Sequence, residues 1–407
     1  AGRLGRLAGC VGGDAMMPRR DARSHGMAIT SPHRWARAAI AMLSACCVAI
    51  GLGACSGSGR PKPTPLEQIQ PQIAGRQVWS ARLDSVRFPL AVVARDGQFV
   101  VAGTDGTVMA LDAQTGAIRW RAQAGRSLSA GVGSDGRHAA VVTTANELVV
   151  FKGDTRLWSA SLSSRTSTAP LVAGERVFVM GVDRVVHAFD VLDGRRLWSY
   201  RRAGEPLTLA QPGVVAAYKD TLVVGQGASL VGLDPLKGTL RWDVPVTSPR
   251  GTNEVERLND LVGPLLRVGD TLCARAFQTA VGCASAEPAR LRWSRLAGGH
   301  EAVGGDAELL VGADASDRIT AWRAGAGEIA WTNERLLYRG LSAPLVAGKT
   351  VVFGDMEGQV HFLSRADGRA QLRLPTDGTP VVAQPVVSST TMLVVTRAGG
   401  LFAFRPE

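Results

Sequence analysis

The sequence predicts an all-β fold, an eight-bladed β-propeller with tryptophan-containing repeats, its ring closed by N- and C-terminal strands. Three observations carry that expectation. The 407 residues include 48 Gly but only 5% aromatic side chains, which suits short strands and tight turns, because Gly supplies positive φ and small aliphatics fill narrow spaces between sheets. A segment also recurs: APLVAGERVFVMGVDRVVHAFDVLDGRRLW (169–198) aligns without a gap to APLVAGKTVVFGDMEGQVHFLSRADGRAQL (343–372), with twelve identities in thirty positions. Finally, the recurring frame alternates in period two between turn signals, and no helix-period stretch is long enough to compete.

At 45% hydrophobic and 20% charged residues, the chain can bury a large core, so neither a disordered polymer nor a multi-span membrane protein fits. In chain order, residues 1–26 show no sustained apolar period and read as a mis-assigned upstream extension. From Met27 the pattern changes to a basic region with Arg34 and Arg37, an apolar run from Ala38 to Ala54, then Leu52-Gly53-Ala54-Cys55 and a Ser/Gly/Pro stretch. Basic, apolar, small and then polar is the order of a secretory signal. The ending resembles the lipobox of bacterial lipoproteins, which implies a signal peptide over 27–54 and lipidation of Cys55; the alternative is a retained signal-anchor helix. Ser56 in place of Asp points to the outer membrane as the address.

Residues 55–74 read as a flexible tether. Ser and Gly loosen it, and Pro61, Pro63 and Pro65 extend it locally. The 19 residues after Cys55 would reach at most about 60 Å. Loss of 1–54 removes seven Arg and two Asp, so the formal charge falls from +11 to +6 over the remaining 353 residues. A dispersed +6 without Lys/Arg clusters among aromatics argues against nucleic acid as a partner.

Residues 75–407 carry the repeats. Their closing positions are Trp79, Trp120, Trp158, Trp198, Trp242, Trp293, Trp331 and Leu372, spaced 41, 38, 40, 44, 51, 38 and 41 residues apart. Eight units of about forty residues, each with four short strands, are the signature of a propeller. The last apolar run, Gly400 to Phe404, falls after Leu372, so the strand around Gln77-Val78-Trp79-Ser80 is expected to supply the outer edge of the C-terminal blade and protect it. A tryptophan that recurs at one phase serves packing rather than ligand binding. Trp322 is off phase and reads either as an unusual contact or as core.

No motif for metalloprotease, serine-hydrolase or nucleotide-binding chemistry appears after Cys55, and no catalytic residue, metal site or cofactor is expected. His187 and His361 share a phase in separate units, too far apart to chelate, and read as satisfied strand histidines. Cys273 and Cys283 lie almost symmetrically about a turn near Gln278. Opposed hairpin positions come within bonding reach when the register allows, so a cross-strand disulfide is expected, with two buried free thiols as the alternative.

The lipobox, the tether and the D-x-x-x-G-x-x-x-W closing motif (Asp112 to Trp120, Asp190 to Trp198, Asp234 to Trp242) together resemble the BamB family. These are lipoproteins of the machinery that assembles β-barrel proteins in bacterial outer membranes. Gly251 to Asp260 looks like the family's interblade segment, and Glu205-Pro206-Leu207-Thr208-Leu209 like its neighbouring Leu-x-Leu loop. The resemblance implies Leu207, Leu209, Arg257 and Asp260 as partner-binding residues toward the periplasmic domains of a BamA-like barrel insertase. Unfolded outer-membrane proteins are a further implied partner. This chain departs from the family pattern at Ala210, where an Arg is usual, and at Val262, where a second Asp is usual. The function implied is a noncatalytic scaffold, lipid-anchored to the outer membrane and facing the periplasm. Alternatives are a quinone-cofactor dehydrogenase, whose adjacent cysteine pair exists here only as Cys46-Cys47 in the leader, and a periplasmic sensor or binding propeller.

Overall fold

Val93–Arg95, Gln98–Ala102, Thr107–Asp112 and Ile118–Gln123 form a four-stranded antiparallel sheet in chain order, and seven further four-stranded sheets complete an eight-bladed β-propeller. The structure is a computed structural model that describes residues 61–202, 208–248 and 258–407. The proposed upstream extension, the signal segment and Cys55 lie outside the described residues. Within each blade the second and third strands are buried on both faces, as in Gln98–Ala102 and Ser229–Leu233. They therefore read as continuous runs of Val, Leu, Ala and Gly rather than as clean alternation, since neighbouring blades cover both sides.

The ring closes as the sequence predicts. Gly75–Arg82 pairs antiparallel with Gly400–Pro406, placing Trp79 opposite Ala403, and so becomes the outer strand of a blade whose other strands are Val386–Ser388, Thr391–Val395 and Gly400–Pro406. Covering the C-terminal strand with the N-terminal one leaves neither chain end as a loose edge.

The closing motif has a direct physical reading. The indole N–H of Trp158 donates to the Val191 carbonyl at 2.8 Å, in the turn before the outer strand of the following blade. Trp79, Trp198, Trp293 and Trp331 make the same bond to Ala113, Pro235, Ala324 and Arg365 of the blade that follows each. The motif's Asp caps that turn: Asp112 Oδ1 accepts the Gln114 and Thr115 amides at 2.9 Å, and the Arg119 guanidinium holds its carboxyl far below the usual carboxylate range. The motif's Gly makes room. A Cβ at Gly194, where φ is +74°, would stand 2.6 Å from the Trp158 ring. Trp120 and Trp242 make no such bond among the described residues, because the turn that follows each is a shorter one, at Lys152–Thr155 and Ala286–Ala289. Trp322 proves to be core, 4% exposed and packed with Trp293 and the two cysteines.

Cys273 and Cys283 are a directly opposed pair in Thr271–Ala276 and Ala280–Ala286, with Cα atoms 4.1 Å apart and sulfurs bonded. His187 and His361 are buried and occupied, His187 Nδ1 with Ser199 Oγ at 2.7 Å and His361 Nε2 with Asp355 Oδ2 at 2.9 Å. Burial holds both imidazoles below their ordinary pKa. One expectation changes. Residues 61–74, read as part of a flexible tether, belong to the same compact unit as the propeller and lie against it, because the seventh blade and the connection leading into it hold them.

Candidate functional site

In a four-stranded meander the first and third turns of every blade lie at one end of the ring, and the second turn and the connection to the next blade lie at the other. Leu209 belongs to the connection between the third blade (Leu171–Ala173 through Arg196–Tyr200) and the fourth (Val215–Tyr218 through Leu240–Pro245). Asp260 ends the connection from the fourth blade to the fifth, just before Leu261–Val268. Both therefore lie at the connection end, in neighbouring interblade loops.

The structure ties these loops together. Asp260 Oδ2 accepts the Leu209 amide at 2.9 Å, and Asp260 Oδ1 pairs with Arg184 Nη2 at 2.7 Å. Arg184 lies in the second turn of the third blade, where the Val182 carbonyl also accepts the Thr208 hydroxyl at 2.6 Å. The side chains of Asp260 and Arg184 are 18% and 22% exposed, so the pair is partly shielded from water and holds more firmly than an open surface pair. Around it a shallow cleft is lined by Thr168, Met180, Thr208, Leu209, Pro212 and Asp260, among others. Chemically the cleft offers apolar surface beside a carboxylate whose two oxygens are both engaged, and its described lining holds no nucleophile–base pair.

Of the four partner-binding residues expected from sequence, Leu209 and Asp260 come together here, and Leu207 and Arg257 lie outside the described residues. Leu209 is half-buried and Ala210 exposed. Val262 is 4% exposed within its strand, so the position offers no charge to a partner. Arg184 was not expected. In the gapless repeat alignment it stands where the seventh blade has Gly358, and both take positive φ, +60° and +73°. A long cation in a left-handed position that a sister repeat fills with Gly costs about 1 kcal/mol, and it is the signal that marks this turn.

The class defined by this fold and site is a tryptophan-docked, eight-bladed propeller with a loop-built cleft at its connection end. The family profile described as "Outer membrane protein assembly factor BamB" matches residues 71–126 and 104–333. The chain is 37% identical over 370 residues to the "Outer membrane protein assembly factor BamB" of Burkholderia pseudomallei, covering 89% of this chain and 97% of that one. It is 32% identical over 357 residues to that of Bordetella pertussis, covering 86% and 92%. The chain belongs to the BamB family. Among solved structures, BamB from Moraxella catarrhalis superposes with a TM-score of 0.74 at 22% identity, covering 81% of this chain and 99% of that one. The quinohemoprotein alcohol dehydrogenase of Comamonas testosteroni superposes with a TM-score of 0.62 at 16% identity, covering 83% and 78%, a likeness of fold alone.

Proposed function

We propose that this protein is a noncatalytic scaffold of outer-membrane β-barrel assembly, anchored to the periplasmic face of the outer membrane by lipid on Cys55. The connection end of its propeller docks on the periplasmic domains of the barrel insertase. The observation that carries this reading is the Asp260 carboxylate fixing the Leu209 backbone beside an apolar cleft, in a chain of the BamB family. Leu207 and Leu209 supply the apolar contact. Asp260 acts chiefly by positioning Leu209, since both of its oxygens are engaged within the propeller. Anchoring one partner at the membrane raises its local concentration near the other without any new contact, and Arg257 adds charge in the adjoining loop. Unfolded outer-membrane proteins are brought to the insertase at this assembled surface. Affinity capture of the full-length protein from detergent-solubilised envelopes tests the reading: the insertase is expected to co-purify, and its absence would overturn the proposal.

A further inference from the structure

The segment before the first strand is bound along its length. The Thr64 N–H donates to the Leu337 carbonyl at 3.0 Å, and Arg339 Nη1 donates back to the Thr64 carbonyl at 3.0 Å. Leu66 packs against the core shared by Trp331, Leu336 and Leu363. The Glu67 carboxylate pairs with Arg335, and its carbonyl accepts Arg373 Nη1 at 3.0 Å. Farther on, the Gln72 N–H donates to the Gln371 carbonyl at 2.9 Å, on the outer strand Ala370–Pro375.

The receiving side is built for this load. The Arg339 side chain is 2% exposed and is held by Asp355, itself fully buried, and by Glu357; Asp355 also takes His361 Nε2. A guanidinium so deeply buried must satisfy its donors inside the protein. One of them is satisfied by Thr64, a residue outside the blades.

Topology gives this contact a consequence. Gly75 begins an outer strand, and outer strands begin at the end of the ring opposite the connections. A free tether would leave the propeller there, away from Leu209 and Asp260. Instead residues 72 to 64 run back across the side of the ring, from Gln371 near the start of its strand to Leu337 and Arg339 in the connection between the sixth and seventh blades. The chain therefore departs at Thr64 on the same end as the cleft. We infer that the groove between the sixth and seventh blades is a binding site for the chain's own tether, and that this docking turns the Leu209–Asp260 end of the propeller toward the membrane. The orientation rests on the lipid anchor at Cys55. Thr64 is the ninth residue after Cys55, a reach of at most about 30 Å, half that of the free tether.

Two tether substitutions, Leu66→Asp with Glu67→Arg, remove the apolar contact and reverse the ion pair without touching a blade. Amide hydrogen exchange on the chain from Cys55 onward is expected to show Thr64 and Gln72 slowed at least about tenfold against an unstructured peptide, with that protection lost in the double variant. For orientation, the Cys55 thiol is coupled to a maleimide phospholipid in phosphatidylethanolamine–phosphatidylglycerol vesicles, so the result does not depend on whether cells lipidate it. Energy transfer to a headgroup dye is then read from a fluorescent residue incorporated at the Arg201 position or at the Asp193 position, which lie at opposite ends of the ring. Transfer is expected to be greater from position 201, and the double variant is expected to abolish the difference. Unprotected amides in the wild type, an unchanged ranking in the variant, or greater transfer from position 193 would overturn the inference. Palmitate labelling of cells carrying Cys55→Ser tests the anchor separately.

Discussion

The Leu209 backbone amide is bound by the Asp260 carboxylate at 2.9 Å across 51 residues of sequence. The other carboxylate oxygen is held by Arg184 at 2.7 Å, so one side chain joins three loops at the connection end of the ring. Asp260→Ala is expected to release the Leu209 loop, raising amide exchange there while leaving the blades protected, at a global cost of about 1–3 kcal/mol for the hydrogen bonds that Asp260 makes. Urea unfolding combined with exchange on Leu209 checks this. An unchanged rate at Leu209 would remove Asp260 from its positioning role.

Blade docking by tryptophan predicts a different kind of failure. Gly194→Ala places a Cβ 2.6 Å from the Trp158 ring at a residue whose φ is +74°. Strain and overpacking together are expected to cost about 2–4 kcal/mol. Trp158→Phe should cost less, through loss of the bond to the Val191 carbonyl. Trp120→Phe, with no such bond to lose, should cost least of the three. Denaturant midpoints rank them.

Deletion of residues 75–85 removes the outer strand from Gly400–Pro406. The C-terminal blade is expected to lose protease resistance, although it lies more than 300 residues away in sequence. Wild-type resistance at that blade would contradict the closure.

Cys273 and Cys283 stand ten positions apart in sequence and are both buried. Alkylation of the denatured, unreduced protein is expected to leave both unmodified, and Cys273→Ser with Cys283→Ser to lower stability by about 2–3 kcal/mol. Mass spectrometry that finds two alkylated thiols would show the pair to be reduced.

What could be read from sequence follows how each feature is encoded. The eight blades and the closing strand were legible because the packing requirement recurs: Asp caps a turn, Gly clears space and Trp fills it, once per unit in most blades. The docked tether was not. Pro61 to Ile73 has no strand period, and its contacts are isolated ones to residues distant in sequence, such as Arg339, 275 residues from Thr64. The cleft falls between these cases. Leu209 and Asp260 were found through family resemblance, whereas Arg184 is visible only as a departure from Gly358 in the repeat itself.

Docking of the propeller's connection end on the barrel insertase, as proposed, depends on Leu207 and Leu209. Titration of the purified periplasmic domains of the insertase against the wild type and against Leu207→Ala with Leu209→Ala tests it most directly. Saturable binding by the wild type is expected, with a loss of at least about tenfold in the variant, as for apolar anchors at an interface. Equal affinity for both proteins, with the variant's fold intact by denaturant midpoint, would contradict it.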